Sequence, residues 1–222
     1  MNARTILIIA AVLFGAVFLG RPVLSDDKGP DKAGAKMPSP EEMKAMMEGM
    51  KKWMEAMNPG KNHAALAPYV GSWNTIMKIY WAGPGSEAME AKGSSEIRWV
   101  LGKRYLLEEY KGETIMPDAS GQMSKVPYEG MGFTGYDNLR NMYEGNWAST
   151  SQTNLLNMKG MADPSGQTIT FYGEMDEPMM NVYGRAVKYV RRIINEDKFA
   201  FEIYDLHAGE NYKVVEAVYT RK

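Results

Sequence analysis

The sequence predicts an all-β protein, an up-and-down antiparallel barrel of about ten strands with one amphipathic helix ahead of it. From residue 71 onward, short segments in which apolar and polar residues alternate follow one another, and this period of two is typical of strands. Clusters of Gly, Pro, Asn and Asp separate the segments at fairly regular intervals. No helix-length segment interrupts them, so a parallel βαβ sheet is not expected. Closure into a barrel would remove the exposed edges of such a sheet.

The N-terminal part of the chain predicts export. Residues 1–25 have the pattern of a secretory signal peptide, with Arg4 ahead of an apolar run and compact residues at its end. The run is short for a membrane span of about 20 residues, and a retained N-terminal anchor is the alternative. Residues 26–38, rich in Gly, Pro and Lys, predict a disordered linker. We therefore expect a periplasmic or secreted protein with no stable membrane span after signal cleavage.

Composition limits the classes of function. The chain has no cysteine, so an exported form must be stable without disulfides, and thiolate metal sites or a cysteine nucleophile are excluded. The net charge is −1, which does not favour binding to nucleic acid. The sequence contains no Gly-x-Ser-x-Gly elbow, no P-loop and no dinucleotide-binding fingerprint. No residue pattern favours an enzyme.

Residues 39–58 predict the amphipathic helix. Ser39 is placed to cap it, Pro40 to occupy its first turn and Glu42 to complete a capping box. One face carries apolar residues at helical spacing, namely Met43, Met46, Met47, Met50, Trp53, Met54 and Met57. We expect this face to pack against the following β domain. The alternatives are a Cu(I) site at Met43, Met46, Met47 and Met50, since thioether sulfur is a soft ligand, and a docking face for a partner protein.

Residues 61–222 predict the barrel domain. Trp73, Thr75, Met77, Ile79 and Trp81 share one face of the first strand. A second strand is expected to break near Gly93, and residues 115–126 are expected to form a long loop. Glycines within the hairpin of residues 127–147 predict a strongly curved sheet. The later segments run over 154–162, 168–175 and 182–194, and a final hairpin turns at residues 207–209.

Several blocks of sequence resemble one known family. They are HAALAPYVGSW (63–73), SSEIRWVLGKRYLLEEYKG (94–112), MGFTGYDNLRNMYEGNW (131–147), FYGEMDEPM (171–179) and VEAVYTRK (215–222). In this order they resemble the DUF1579 family of uncharacterised bacterial proteins, over about residues 60–222. The resemblance implies a β-barrel similar to the calycins, which include lipocalins and fatty-acid-binding proteins. It implies no activity.

The start of the first strand has a second likeness. Gly71-Ser72-Trp73 is similar to the Gly-x-Trp opening of lipocalins, in which the Trp closes the barrel base and a late Arg packs across it. Arg221 is the candidate for that partner. Members of the family tend to have an acidic residue just after the central Trp, whereas this chain has Ala148-Ser149 after Trp147. No role for that carboxylate is expected here.

The leading functional hypothesis is a small hydrophobic or amphipathic ligand bound inside the barrel, in a cavity of about 300 Å³ or more. An arginine facing the interior would need an opposite charge or a ligand head group, and Arg98 and Arg185 are the candidates, Arg185 first. The candidate cavity-lining aromatic residues are Trp73, Trp99, Tyr136 and Trp147. The alternatives are that the arginines are solvated and that the aromatic residues form an ordinary core.

No cofactor is predicted from the residues alone, although haem is an alternative to copper. His63 and His207 are the only histidines. Haem-binding barrels similar to nitrobindin take an iron ligand from a late histidine, a position that His207 matches. An exposed loop histidine is the plainer interpretation. Glu108 and Glu109 are adjacent in a predicted strand and so point to opposite faces, which excludes them as a catalytic pair.

Overall fold

A computed structural model of the chain describes residues 38–222, in which ten strands form one antiparallel sheet closed into a barrel. The strands are β1 (Gly71–Ile79), β2 (Met89–Val100), β3 (Tyr105–Pro117), β4 (Met123–Asp137), β5 (Met142–Ser149), β6 (Leu156–Ala162), β7 (Thr168–Glu177), β8 (Val182–Asn195), β9 (Lys198–Asp205) and β10 (Lys213–Arg221). The helices are α1 (Pro40–Met57), α2 (Lys61–Ala64) and two short 3₁₀ helices, Ala67–Tyr69 and Pro178–Met180. The expected signal peptide and almost all of the expected linker lie outside the described residues.

The barrel closes through its first and last strands. Every strand pairs with its neighbours in sequence, and β1 also pairs with β10, where Trp73 lies opposite Arg221 and Ile79 lies opposite Val215. This confirms the predicted ten-stranded up-and-down barrel. Closure pairs both sides of each described strand, so none of them presents a free edge for aggregation.

Two expectations about the strands were wrong. β2 runs through Gly93 without a break, because the missing side chain makes room for the ring of Tyr110 on β3. The expected loop over residues 115–126 is mostly strand, since β3 extends to Pro117 and β4 begins at Met123. The short turn between them is held by the Asp118 carboxylate, which accepts hydrogen bonds from the backbone N–H groups of Ser120 and Gln122 at 2.8 and 3.0 Å.

Helix α1 begins with the predicted capping box. The backbone N–H of Glu42 donates to Ser39 Oγ at 3.2 Å, and the backbone N–H of Ser39 donates to Glu42 Oε2 at 2.7 Å. These two bonds give acceptors to backbone N–H groups that have no partner within the helix at its first turn.

The C-terminal half of α1 meets the barrel through backbone carbonyls. Arg104 donates to the carbonyl of Met57 at 2.8 Å, and Asn138 donates to the carbonyl of Ala56 at 2.9 Å. No residue of α1 is buried and its methionines are between 37% and 68% exposed, so the methionine face is not buried as expected. The hydrogen bonds from Arg104 and Asn138 give partners to carbonyls of the last turn, which have none within the helix. No helix among residues 38–222 is both long and apolar enough to cross a membrane.

The segment before β1 closes one end of the barrel. Leu66 and Tyr69 are completely buried, and the indole N–H of Trp73 donates to the carbonyl of Tyr69 at 2.9 Å. The guanidinium of Arg221 lies 4.2 Å from the centre of the Trp73 ring. This is the contact that the lipocalin-like Gly-x-Trp opening implied. We call the group formed by Leu66, Tyr69, Trp73 and Phe199 the base plug.

We expect Gly160→Ala to lower the free energy of unfolding by about 1–3 kcal/mol, as overpacking does. A Cβ at Gly160 on β6 would lie against the backbone oxygen of Thr170 and 2.6 Å from the Cα of Phe171, and backbone of a central strand cannot move aside easily. Urea unfolding followed by circular dichroism measures the change. Gly60→Ala is the control, since a Cβ there has no neighbour within 4 Å; equal stability of the two variants would contradict the close β6–β7 contact.

Candidate functional site

The half of the barrel interior away from the base plug contains a cavity of about 250 Å³. Its walls are mostly apolar, with Met77, Ile79, Phe171, Ile203 and Val215 among the lining residues. Ser149, Ser151 and Gln152 lie at the far end of β5 and give the cavity a polar rim. The volume is somewhat below the expected size. An apolar chamber with a few polar groups is the usual form of a small-molecule site.

A buried ion pair forms the floor of this chamber. Arg191 on β8 and Glu108 on β3 line the cavity, and Arg191 Nη2 lies 2.5 Å from Glu108 Oε2. β3 and β8 are not neighbours in the sheet, so the pair spans the barrel interior. The Ser95 hydroxyl donates to the other carboxylate oxygen of Glu108 at 2.8 Å. A carboxylate can be buried inside a barrel when both of its oxygens accept hydrogen bonds and a cation balances its charge.

The surroundings of Arg191 favour its charged form. The guanidinium of Arg191 lies over the rings of Tyr69 and Phe199, at 4.7 and 5.3 Å from their centres. Burial acts to lower the pKa of Arg191, but the Glu108 carboxylate outweighs it and the pKa is raised. Burial and the nearby Glu108 raise the pKa of Tyr219 well above its usual value, so this phenol stays protonated beside the carboxylate. The pair thus divides the packed base plug from the cavity.

Two more tyrosines line the cavity beside the floor. Burial raises the pKa of Tyr110 to about 12 and that of Tyr189 further, so both phenols are neutral at any physiological pH. The hydroxyl of Tyr189 is buried and has no protein partner, and the same holds for Nε of Arg191. A buried polar group without a partner is costly. These two groups have hydrogen-bonding capacity that the protein does not use, and both atoms are buried beneath the cavity surface.

Trp147 lies against one wall of the cavity because two glycines of β4 give it room. A Cβ at Gly130 would lie 2.7 Å from Cε2 of the indole, and one at Gly132 would lie 2.8 Å from Cε3. The indole N–H donates to the hydroxyl of Tyr128 at 2.8 Å. Glycine at these strand positions thus allows a close approach between an aromatic ring and the backbone.

Of the six ligand-binding residues expected from sequence, only Trp147 lines the cavity. Trp73 is part of the base plug. Trp99 and Tyr136 are partly buried against the core cluster, and Tyr136 packs edge-on against Tyr143 at 4.9 Å. The structure thus places these three aromatic side chains in the packed core rather than around the chamber.

The two expected interior arginines lie elsewhere. Arg98 is on the outer face of β2, since its neighbours Ile97 and Trp99 point inward, and it approaches Glu109 at 3.5 Å. Arg185 is paired with the Asp205 carboxylate through two hydrogen bonds, one of 2.9 Å from its Nε, and it does not line the cavity. Neither guanidinium is available to a ligand on the floor.

Sequence reasoning missed Arg191 and Glu108. The signal for Arg191 was present, because Val187, Tyr189, Arg191 and Ile193 alternate along β8 and place one arginine on an otherwise apolar face. Glu108 likewise lies between Leu106 and Tyr110 on the inward face of β3. What the sequence could not supply was the meeting of two strands that are not adjacent in the sheet.

Asp205→Asn is expected to lower the free energy of unfolding by about 1.5–3 kcal/mol at pH 7, the range for hydrogen bonds to charged groups. The hydrogen bonds from Arg185 hold the pKa of Asp205 below its usual range. The carboxylate therefore stabilises the fold above its unfolded-state pKa of about 3.9, and this contribution disappears as the pH falls through the lower folded-state pKa.

The measurement is the difference in melting temperature between wild type and Asp205→Asn at pH 7 and at pH 2.5. We expect a difference at pH 7 that shrinks in acid. Asp197→Asn is the control, since that carboxylate meets Arg221 at 3.3 Å but is 77% exposed. A difference in melting temperature that is larger in acid than at pH 7 would contradict the predicted direction of the pH dependence.

The residues considered for metal or haem lie outside the cavity. His207 is exposed in the β9–β10 turn, and its backbone N–H donates to Asp205 Oδ1 at 3.0 Å. His63 is buried beside the base plug, where its Nδ1 accepts a hydrogen bond from the N–H of Gly60 at 3.1 Å. The methionines of α1 are exposed. Among residues 38–222, no group of three or more His, Cys, Asp or Glu side chains is placed to hold a metal ion.

Comparisons with known structures return barrels of low sequence identity. Rv2717c from M. tuberculosis is 16% identical, with a TM-score of 0.49 over 74% of this chain and 99% of that one. An S-type phycobiliprotein lyase, CPES from Guillardia theta, is 11% identical, with a TM-score of 0.43 over 74% and 98%. A redesigned beta barrel is 12% identical, with a TM-score of 0.34 over 71% and 95%. A search of curated proteins found no match.

Together the closed sheet, the base plug and the interior chamber define a calycin-like β-barrel. The sequence model of DUF1579, described as a protein of unknown function, matches residues 58–221. The chain belongs to this family. The match begins where α1 ends, so it covers the whole barrel and its base plug.

Proposed function

We propose that the barrel binds a small hydrophobic or amphipathic molecule in its interior. The observation that carries this proposal is the cavity itself, an apolar chamber above a charged floor with a polar rim. A closed barrel of this kind could pack its interior completely, as the lower half of this one does. An unfilled chamber that still contains hydrogen-bonding groups is better suited to a ligand than to stability alone.

The size of the chamber limits the ligand. At about 30 Å³ for each water molecule in the liquid, 250 Å³ corresponds to roughly eight waters. The ligand is therefore a compact molecule or a short chain of about ten non-hydrogen atoms. Met77, Met158 and Met175 line the walls, and their unbranched side chains can adjust to the shape of a guest.

The first test is native mass spectrometry of the full chain purified from its own source. A bound mass that disappears on denaturation is expected. Isothermal titration with 1-octanol then tests the cavity directly, and binding at one site is expected. A protein that carries no added mass and gives no heat with 1-octanol would overturn the proposal.

The Val215→Phe variant tests whether 1-octanol binds inside the cavity. Val215 lines the cavity from β10, and a phenyl ring there would fill much of the chamber. We expect this variant to bind 1-octanol at least about tenfold more weakly. Val218→Phe makes the same substitution on the outer face of the same strand, opposite Ile76, and should bind like wild type. Equal weakening in both variants would place the binding site outside the cavity.

We also propose that the protein is exported and that residues 1–25 are removed. The support is the sequence pattern of a signal peptide. N-terminal sequencing of the protein from the periplasmic or secreted fraction is expected to begin near residue 26. Recovery of the intact N-terminus from a membrane fraction would instead indicate a retained anchor.

A further inference from the structure

We propose that the cavity selects a ligand with an uncharged polar head group, a hydroxyl or an amide, over a carboxylate of the same length. This inference rests on the proposed function and names the chemical class of the ligand. It differs from the expectation that an interior arginine binds the head group of the ligand. The reason is the state of charge of the cavity floor.

The floor is electrically balanced before any ligand enters. Among the residues of the 38–222 segment that line the cavity, Glu108 and Arg191 are the only charged ones. They are paired at 2.5 Å, and both side chains are largely buried. Their opposite charges cancel, so a ligand carboxylate would add an uncompensated negative charge to a site with little access to water. Such a charge is strongly disfavoured.

A carboxylate could reach Arg191 only by competing with Glu108. The ligand and Glu108 would then be two carboxylates sharing one site, which disfavours the ionised form of one of them. The rings of Tyr69 and Phe199 lie against the guanidinium, so a second anion has little room on that side. An ammonium head would meet the corresponding repulsion from Arg191.

A neutral head group meets neither difficulty. Tyr110 and Tyr189 line the cavity as neutral phenols. The Tyr110 hydroxyl makes only a long 3.5 Å hydrogen bond to the carbonyl of Glu113, whereas the Tyr189 hydroxyl is buried beneath the cavity surface. A hydroxyl or amide can both donate and accept, so it can pair with a phenol whichever way the proton points. The apolar walls then take the hydrocarbon part of the molecule.

The test compares octanamide with octanoate, which have nearly the same shape and differ in charge at neutral pH. Isothermal titration of the full chain is expected to show octanamide binding at least about tenfold more tightly than octanoate. Octanoate binding equally well or better would overturn the inference while supporting the proposed function. If neither compound nor 1-octanol binds, the proposed function itself fails and the inference fails with it.

Any apolar cavity disfavours an ion to some extent, so a variant must show that the balanced floor sets the preference. Glu108→Gln leaves the charge of Arg191 uncompensated and keeps an oxygen for Ser95 to bond. We expect the preference to reverse, with octanoate tighter than octanamide. Glu109→Gln is the control, because Glu109 is the next residue and lies outside the barrel beside Arg98. Its ratio of affinities should equal that of wild type.

Thermal unfolding covers the case in which Glu108→Gln is too unstable to titrate. Octanoate should then raise the melting temperature of this variant, whereas octanamide should have little effect. A variant that retains the wild-type preference for octanamide would overturn the role assigned to Glu108.

Discussion

Arg191→Met is expected to lower the free energy of unfolding by about 3–5 kcal/mol, because it removes one partner of a buried ion pair and leaves the other charged. The Glu108 carboxylate would lose the guanidinium that lies 2.5 Å away while remaining inside the barrel. The hydroxyls of Ser95 and Tyr219 would still bond it, but neutral donors do not replace a guanidinium. Urea unfolding followed by circular dichroism measures the loss.

The double variant Arg191→Met/Glu108→Gln separates charge from packing. Gln removes the unpaired charge and keeps an acceptor for Ser95, so we expect it to recover most of what Arg191→Met lost. Non-additivity of this kind is the mark of two groups in direct contact. If Glu108→Gln made the single variant less stable still, the two side chains would not form the charged pair seen in the structure.

The neighbouring residue provides a matched control. Arg192 lies on the outer face of β8, its side chain is 46% exposed, and it approaches Glu202 at 3.8 Å. The Glu202 side chain is only 8% exposed, but it keeps Lys213 as a partner at 3.0 Å. Loss of the half-exposed Arg192 therefore leaves no unpaired buried charge and should cost about 0–1 kcal/mol. Arg192→Met should therefore change stability by no more than that. A similar loss in Arg191→Met and Arg192→Met would mean that the strand, rather than the interior pair, is sensitive to this substitution.

Arg98 and Arg191 show how much of the structure the sequence could predict. Strand alternation is local, so the number of strands, their antiparallel order and most of the turns could be predicted from residues close in the chain. Arg98 was a candidate for the interior because apolar residues flank it. In a strand, however, immediate neighbours point to the opposite face, so buried Ile97 and Trp99 place Arg98 outside. An inward arginine is recognised by apolar residues two positions away, as for Arg191.

Other features depend on contacts between distant residues. Gly93 in a strand is compatible with a break or with a close contact, and the ring of Tyr110 on β3 decides in favour of the contact. The role of Glu108 depends on its ion pair with Arg191 on β8, across the barrel. The size of the cavity also depends on the whole barrel, because a cavity is the space that remains after all the inward side chains are packed. The contact between Trp73 and Arg221 could be predicted, because the Gly-x-Trp opening of lipocalins implies that a late arginine packs across the Trp.

Trp73→Ala is expected to lower the free energy of unfolding by about 3–5 kcal/mol, as truncation of a fully buried Trp does. Trp73 is 1% exposed, and its ring packs edge-on against Phe199 at 4.8 Å. Its truncation would open a cavity in the base plug and leave the carbonyl of Tyr69 without the indole donor. It would also remove the aromatic face beneath Arg221, whose guanidinium bonds the carbonyl of Val70 at 3.0 Å.

Trp81→Ala is the control for this prediction, since Trp81 is 47% exposed beyond the end of β1. It should change stability by about 1 kcal/mol or less. Trp73→Ala should weaken 1-octanol binding much less than Val215→Phe, because Trp73 does not line the cavity and lies beyond the Arg191–Glu108 pair. A large loss of stability with nearly unchanged binding would show that the base plug supports the barrel and that the ligand occupies the other half. Loss of binding in step with that of Val215→Phe would instead mean that the plug shapes the cavity through the floor.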